Sequence, residues 1–482
     1  MPGSDVLEMD LWEAIYGRRS IRRFKTDENG KPLPVPDEKI EIILEAARWA
    51  PSPRNIQPWR FILIKSDAMR NLLADFGREM AHLIFGASAQ IFFGHLWYVP
   101  KERKTGIAEY TQTGVLWEYP KEANFIIVPC FSKGAWMDSY AAVGSQDQGW
   151  PMSCGMAIQN MWLTIYALGL GAGFNAMPLS DARRRELFSE LMNIPPSWVP
   201  LGAFAVGTPE YARMLGPSRA PFEGLVFKEQ WGERWPRMGF DENYEVGELP
   251  TINLSDAIHQ RRSIRKFKKD AEVPRWKLEK ILDAIKWCPN PENLNHFRFI
   301  VVQNEDTKDL ITRFNKEFHD LAYRMGQYQI VNGYLEALRI PEEERLAYLE
   351  KLREEAWKYP SECHTIIIPC YSRTSWFEYP GSIAGGIDHI WAAATGAGLQ
   401  NMWLATHALG LGGAFNVFPL SDIRRQEIFC DYIGIPRSWE PLGAFCIGVP
   451  DENPKPPRRF PLSTLVFEEM WGNNYEPKYI KD

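Results

Sequence analysis

The chain repeats itself, and this repeat constrains its fold more than any other feature. Matching segments recur at separations of 238 to 243 residues along a chain of 482 residues. A long period with so little drift indicates one whole domain written twice, with few insertions. The matched pairs are 18–22 with 261–265, Trp49 with Trp287, Gln159-Asn160 with Gln400-Asn401, and Trp231-Gly232 with Trp471-Gly472.

The two copies meet in a polar stretch between Trp235 and Pro250. Pro236 and two glycines, Gly239 and Gly247, interrupt this stretch, as is typical of linkers and turns. We therefore predict two domains, at residues 1–238 and 239–482. Each is long enough to bury a core of its own.

Composition excludes several classes of function. The net charge of −6 argues against a broad nucleic-acid surface. Seven cysteines without a CxxC pair, and no visible N-terminal secretory segment, predict a cytoplasmic protein without disulfides or a metal site. The apolar stretch 83–99 contains two glycines and lacks charged flanks on both sides, which favours a covered helix or lid over a membrane span.

Each copy mixes helices and strands without a regular βαβ alternation. This predicts an α+β fold with a mostly antiparallel sheet packed by helices. Apolar residues at helical spacing predict a helix around 40–47 and again around 278–285, and Gly-Leu-Gly ends a long helix in each copy. The predicted strands are 59–64, 125–128 and 201–206 with 297–302, 365–368 and 442–447, and the predicted long helices are 153–168 and 395–409.

Two excursions rich in aromatic and charged residues, 66–122 and 305–362, interrupt the copies at matching places. Their aromatic residues either pack these helices on the body of the domain or form a lid over a flat ligand. The sequence leaves both interpretations open.

The repeated run Arg-Arg-Ser-Ile-Arg (18–22 and 261–265) has the chemistry of a phosphate site. Arginine offers a planar fork of donors that matches phosphate oxygens, and serine adds a short donor. A single run of this kind is more often a solvated basic turn. Its duplication within a duplicated domain favours the binding site.

Four motifs in a fixed order resemble the FMN-dependent nitroreductase family, and they do so twice. Members of that family are intertwined homodimers whose two FMN molecules lie in the interface. The resemblance therefore implies an intramolecular pseudo-dimer, in which a single chain holds each flavin with both of its copies. The motifs are the basic run, the loop Pro-Ser-x-x-Asn-x-Gln-Pro-Trp at 51–59, the Gln-Asn helix ending in Leu-Gly-Leu-Gly at 168–171, and Leu-Gly-x-x-x-x-Gly-x-Pro at 201–209 and 442–450.

The resemblance also implies cofactor-binding roles for individual residues. The ribityl phosphate or ribityl chain would be held by Arg18, Arg19, Ser20 and Arg219, and in the second copy by Arg261, Arg262, Ser263 and Arg459. Arg22 and Arg265 would reach the pyrimidine edge of the flavin. The loop residues Pro51, Ser52, Pro53, Asn55 and Gln57 would cover the flavin anchored by the second copy, and Pro289, Asn290, Pro291 and Asn293 the flavin anchored by the first.

The pairs Ser180-Asp181 and Ser421-Asp422 are the candidate catalytic residues. In the family, backbone N–H groups at this place approach the flavin N5, although many members have Glu-Gly here. The same pairs precede basic helical segments and are equally well explained as helix caps. A capped helix start also presents N–H groups, so both interpretations stay open.

The resemblance implies an FMN-dependent oxidoreductase. NADH or NADPH would pass hydride to FMN, and a small electron-poor aromatic substrate, nitro or quinone-like, would then take it in a ping-pong cycle. No GxGxxG loop follows a strand, which fits one pocket shared by both substrates. The alternatives are a specialised reaction of the family (reductive dehalogenation, enone reduction, dehydrogenation or oxidation, flavin fragmentation) and a flavin-binding regulator without turnover.

The two predicted sites are not equivalent. Gln57-Pro58-Trp59 of the first copy is replaced by Asn295-His296-Phe297 in the second. His296 is either a proton donor beside the flavin anchored by the first copy or a loop residue that merely replaces proline. The second alternative is favoured.

Overall fold

A computed structural model describes residues 8–85, 115–133, 149–211, 216, 219–236, 247–293, 295–324, 326–372 and 387–480. Much of the predicted linker, 237–246, lies outside these ranges, so the boundary between residues 238 and 239 stays a prediction. The centre of the first excursion, 86–114, also lies outside them, together with most of the apolar stretch 83–99. Among the described residues, no helix combines the length and the apolar character needed to cross a membrane.

The first copy forms helices and strands in an α+β order. They are α1 (Leu11–Gly17), α2 (Asp37–Arg48), β1 (Trp59–Ile64), α3 (Asp67–Phe85), β2 (Phe125–Ser132), α4 (Gly149–Ala167), β3 (Gly171–Asn175), α5 (Ala182–Leu191), β4 (Trp198–Pro200), β5 (Ala203–Gly207) and β6 (Val226–Lys228).

The second copy repeats this order, with additional helices described in its excursion. Its elements are α6 (Leu254–Gln260), α7 (Arg275–Lys286), β7 (Phe297–Val302), α8 (Glu305–Arg324), α9 (Gln327–Ala337), α10 (Glu342–Glu355), α11 (Tyr359–Glu362), β8 (Thr365–Ser372), α12 (Ile387–Ala408), β9 (Gly412–Asn416), α13 (Ile423–Ile433), β10 (Trp439–Pro441), β11 (Ala444–Gly448), α14 (Leu462–Leu465) and β12 (Val466–Glu468).

The long helices begin earlier than predicted. α4 starts at Gly149 rather than 153, and α12 starts at Ile387 rather than 395. Trp150 and Trp391, which lie near these early ends, are buried. Apolar residues cover every side of α4, which is typical of a helix enclosed in the core. Periodicity alone gives no start signal in such a helix.

The two sheets confirm the predicted, mostly antiparallel arrangement. One sheet has the order β12-β1-β2-β5-β3 with β4 paired to β2, and the other has the order β6-β7-β8-β11-β9 with β10 paired to β8. All of these pairings are antiparallel except β1 with β12 and β6 with β7. The two parallel pairings are also the two that join different copies.

Each half therefore lends its last strand to the sheet of the other half. β12 places Val466 opposite Phe61, and β6 places Val226 opposite Phe299. The strand exchange covers one edge of each sheet with a strand of the other copy. An open edge at this place would be available for aggregation. The halves are in this sense intertwined within one chain.

The helices α4 and α12 cross at the centre of the molecule with their backbones in contact. A Cβ atom at Gly155 would lie 1.9 Å from the carbonyl oxygen of Ala393, and one at Gly396 would lie 2.0 Å from that of Met152. Only glycine permits so close an approach. This crossing fixes the distance between the halves.

A reciprocal pair of buried hydrogen bonds locks the same two helices. Gln159 Nε2 donates to Asn401 Oδ1 at 2.6 Å, and Gln400 Nε2 donates to Asn160 Oδ1 at 2.7 Å. Each asparagine then donates to a carbonyl of α2 or α7 in its own copy, that of Ala46 or Ala284. The repeated Gln-Asn pair thus serves the interface between the copies.

Candidate functional site

Two cavities lie where the halves meet, and each is lined by both copies. The first, named cavity one, joins the basic run of the first copy to the loop of the second copy. Its lining includes Ser20, Arg22, Trp162, Phe174, Met177 and Ser180 from the first half, and Pro289, Asn290, Pro291, Trp391, Ala393 and Ala397 from the second.

Cavity two is the counterpart of cavity one with the roles of the copies exchanged. Its lining includes Ser263, Arg265, Tyr359, Trp403, Phe415 and Phe418 from the second half, and Pro51, Ser52, Pro53, Arg54, Met152 and Met156 from the first. The structure thus brings the predicted anchor of each copy together with the predicted loop of the other.

Arg18 is the buried centre of the basic cluster beside cavity one. Its side chain is 2% exposed, and its Nη2 donates to the carbonyl oxygen of Trp287 at 2.9 Å. Its guanidinium carbon lies 4.9 Å from the ring centre of Trp162. Burial, and then the charge of Arg219, lowers the pKa of Arg18 to about 9.

Two further arginines surround the same indole of the opposite half. The guanidinium carbons of Arg19 and Arg219 lie 5.2 and 5.4 Å from the Trp287 ring centre. Arg219 also donates to Asn293 Oδ1 at 3.3 Å. Three cations of the first copy are therefore positioned by the second copy.

The second basic cluster repeats this geometry. Arg261 is 4% exposed and lies 4.8 Å from the Trp403 ring centre, and burial followed by the charge of Arg459 lowers its pKa to about 9. Arg262 and Arg459 lie 5.8 and 5.6 Å from the ring centre of Trp49 in the first half. Arg459 hydrogen-bonds Asn55, as Arg219 does Asn293.

Each cluster contains buried N–H donors that form no hydrogen bond within the described ranges. The Nε and Nη1 atoms of Arg18 and of Arg261 are buried without a partner within the described ranges. Glu45, the carboxylate whose charge reaches Arg459, is engaged by Arg48. Buried cations with unused N–H groups are costly unless an anion joins them. The residues present therefore fit a phosphate.

The aspartate of each predicted catalytic pair caps the helix that follows it. Asp181 accepts from the Arg184 backbone N–H at 2.9 Å, and Asp422 accepts from the Arg424 N–H at 2.9 Å. The Ser180 hydroxyl donates to the Met177 carbonyl. Ser180 lines cavity one, whereas Asp181, Ser421 and Asp422 are not in the described lining of either cavity. The capping interpretation is confirmed, and a role near flavin N5 stays a prediction.

Gln57 and Asn55 hold the loop of the first copy in place. Gln57 accepts from the Phe460 backbone N–H at 2.9 Å, and its own N–H donates to the Ser52 hydroxyl at 3.0 Å. Asn55 donates to the carbonyl of Arg458 at 2.8 Å. Neither residue is in the described lining of cavity two. They hold the loop against residues 458–460 of the second half and contact Arg459.

Comparison with protein families settles the relationship. The model of the nitroreductase family matches residues 15–208 and again 258–449, which together form most of the chain. The chain belongs to the nitroreductase family. The two matches also confirm the predicted duplication.

Individual relatives of this nitroreductase-family chain each span about one copy. A Methanothermobacter thermautotrophicus protein assigned as an NADH dehydrogenase/NAD(P)H nitroreductase is 28% identical over 205 residues, 42% of this chain and 80% of its own length. A Rhodospirillum rubrum 5,6-dimethylbenzimidazole synthase is 26% identical over 211 residues, 42% of this chain and 87% of its own length. The crystal structure of a Desulfitobacterium hafniense nitroreductase with bound FMN is 18% identical, covers 43% of this chain and 93% of its own, and gives a TM-score of 0.31.

The two cavities of this nitroreductase-family protein differ in size because the central helices line them with different residues. α12 presents Ala393 and Ala397 to cavity one, whereas α4 presents Met152 and Met156 at the equivalent positions of cavity two. The free space is about 120 Å³ in cavity one and about 80 Å³ in cavity two. Sequence reasoning missed this difference, although aligning the copies on Gln159 and Gln400 would have revealed it.

His296 is buried behind cavity one. Its Nε2 lies 3.2 Å from the carbonyl oxygen of Trp391, and its ring centre lies 4.5 Å from that of the Trp391 ring. Burial lowers the pKa of His296 to about 3. The side chain is therefore neutral at physiological pH. The imidazolium form, which would be the proton donor, is not populated there. This favours the interpretation of His296 as a loop residue replacing Pro58.

Six of the seven cysteines are buried. None of the seven forms a disulfide, and burial raises the pKa of thiols such as Cys154 and Cys288 above the ordinary value. Among the described residues, no cluster of His, Cys, Asp and Glu has the arrangement of a metal site.

Proposed function

We propose that the chain is an FMN-dependent oxidoreductase that binds one flavin in each cavity. The observation that carries the proposal is a buried arginine with unpaired donors, Arg18 or Arg261, which packs on a tryptophan lining each cavity, Trp162 or Trp403. Both copies supply walls of each cavity. A flat ring between apolar walls with a phosphate at one end satisfies both features. The names of the relatives, which include an FMN-bound nitroreductase, support the same cofactor.

Different side chains would hold different parts of FMN. Arg18, Arg19, Ser20 and Arg219 would hold the phosphate or ribityl chain in cavity one, and Arg261, Arg262, Ser263 and Arg459 would do so in cavity two. Arg22 and Arg265, which line the cavities, would lie near the pyrimidine edge of the ring. A fixed cation there stabilises the negative charge that two-electron reduction places on a flavin.

When bound, FMN would supply the acceptor and donor of hydride at its N5. The chain itself contributes exclusion of water and stacking, through walls such as Trp162 and Trp391 in cavity one. We propose that NADH or NADPH enters first and leaves, and that a small electron-poor aromatic acceptor, nitro or quinone-like, then occupies the same space. Ping-pong kinetics follow from one cavity serving two substrates in turn.

A second candidate is a specialised synthesis rather than reduction of an acceptor. The relationship to a 5,6-dimethylbenzimidazole synthase favours it. Aerobic incubation of the reduced protein, followed by mass spectrometry, distinguishes the two. Release of a benzimidazole would favour synthesis, whereas intact FMN with consumption of a nitro or quinone acceptor would favour reduction.

Counting flavin tests the proposal directly. We expect the purified or reconstituted protein to hold two FMN per chain and to bleach with NADH or NADPH under anaerobic conditions. Arg18→Gln and Arg261→Gln should each remove one equivalent, because each substitution deletes the central cation of one phosphate cluster. The exposed Arg183→Gln is the matched control and should keep both. A colourless protein that cannot be reconstituted would refute the proposal.

A further inference from the structure

Cavity two contains a cation that belongs to neither basic cluster. Arg54 comes from the loop of the first half, and its guanidinium carbon lies 5.3 Å from the ring centre of Phe418 in the second half. Both residues line cavity two. The phosphate-type cluster of this cavity is built instead on Trp49 and Trp403.

The described part of the chain gives Arg54 no counterion. It makes neither a hydrogen bond nor an ion pair there, although its side chain is only partly exposed. The titratable groups that its charge influences are His319, Tyr328 and Tyr359. An arginine held at a cavity wall without a carboxylate retains its full capacity to bind an anion.

Two of these groups, His319 and Tyr328, are neutral, and the Asp320 carboxylate that also influences them pairs with Lys316 at 2.7 Å. The Tyr328 hydroxyl lies 2.6 Å from His319 Nε2, which also lies 2.7 Å from the carbonyl oxygen of Leu352. Burial, and then the charge of Arg54, lowers the pKa of His319 to about 4, and burial raises the pKa of Tyr328 to about 12. At neutral pH neither group carries a charge that could balance the guanidinium.

The other copy has different residues at the positions equivalent to Arg54 and Phe418. The loop Pro-Ser-Pro-Arg-Asn of the first copy corresponds to Pro-Asn-Pro-Glu-Asn in the second, so Glu292 replaces Arg54. Met177 of cavity one corresponds to Phe418 of cavity two. The described lining of cavity two has two arginines, Arg54 and Arg265, and no carboxylate. The described linings therefore differ in charge as well as in size, since that of cavity one contains a single arginine, Arg22.

We infer that cavity two is specific for an aromatic acceptor that bears a carboxylate, and that Arg54 binds this carboxylate. The aromatic walls Phe418 and Tyr359 suit the ring of such an acceptor, and the guanidinium fork suits its acidic group in a bidentate pair. The first half of the chain thus sets the substrate choice of the flavin anchored by the second half. This inference rests on the proposed function, since the acceptor would bind beside FMN.

Two ligands of similar shape, one with a carboxylate and one with a neutral amide, test this inference. 4-Nitrobenzoate and 4-nitrobenzamide are titrated by calorimetry into the oxidised, FMN-loaded protein without a nicotinamide donor. We expect Arg54→Gln to raise the Kd of 4-nitrobenzoate about 10- to 100-fold, the loss of one charge-assisted contact, and to change the Kd of 4-nitrobenzamide less than about twofold. Arg54→Lys should retain part of the preference, and Arg183→Gln should match the parent protein.

Each of the other possible outcomes overturns this inference, alone or together with the proposed function. A parent protein that cannot be loaded with FMN overturns the proposed function and this inference with it. A loaded parent that does not distinguish the two ligands, or an Arg54→Gln variant that still does, overturns this inference alone. Loss of FMN from Arg54→Gln would assign Arg54 to the cofactor and would also overturn it.

Discussion

At the scale of single residues, His296 illustrates how the copies have diverged. The first copy has Pro58 at this position of the loop, and the second has a buried imidazole whose Nδ1 finds no partner among the described residues. Burial lowers the pKa of His296 to about 3, well below the ordinary value of 6.5. The folded protein therefore resists protonation of a group that the unfolded chain protonates readily.

This difference predicts a stability effect with a definite sign. Between pH 6.5 and about 3 the unfolded chain binds a proton at His296 that the folded chain does not, so stability falls as the pH falls through this window. His296→Gln should therefore move the acid-unfolding midpoint, followed by circular dichroism, to lower pH. His82→Gln, on the exposed side of α3, is the control and should leave it in place. An unchanged midpoint for His296→Gln would contradict the assigned burial.

At the scale of elements, the crossing of α4 and α12 determines where the cavities can form. Residues on the early turns of each helix line the cavity anchored by the other copy, for example Ala393 in cavity one and Met152 in cavity two. The glycines of the same segments, Gly155 and Gly396, let the two backbones touch. The helix–helix contact and the cavity walls therefore depend on each other.

Two glycine substitutions test this contact. Gly155→Ala should lower the free energy of unfolding in urea by about 1–3 kcal/mol, because the new methyl group would meet a backbone carbonyl that cannot move aside. Gly333→Ala on the exposed side of α9 meets nothing within 4 Å and should raise stability by about 0.5–1 kcal/mol through helix propensity. Equal stabilisation by both substitutions would show that the helices are not in backbone contact.

At the scale of the whole molecule, the sequence predicted the individual motifs better than the way in which the two copies are joined. The basic runs, the loops and the Gln-Asn helices were recognisable because each motif is local and occurs twice. The strand exchange was not predicted, because β6 and β12 have only three residues each and pair with strands far away in sequence. The position of Arg54 in the cavity was missed for a related reason. Its contact with Phe418 joins the two halves, and the local spacing of residues does not predict such a contact.

Strand exchange makes a prediction about the halves in isolation. A fragment of residues 1–238 would leave β1 without β12 and β6 without β7, and its basic cluster would lack Trp287. We expect this fragment to be unstable or self-associated, and to hold no FMN as a monomer. Mixing it with the fragment 239–482 should restore both flavins, measured by absorbance across the peaks of a sizing column. A stable monomeric half with bound flavin would contradict the assignment of each cavity to both copies.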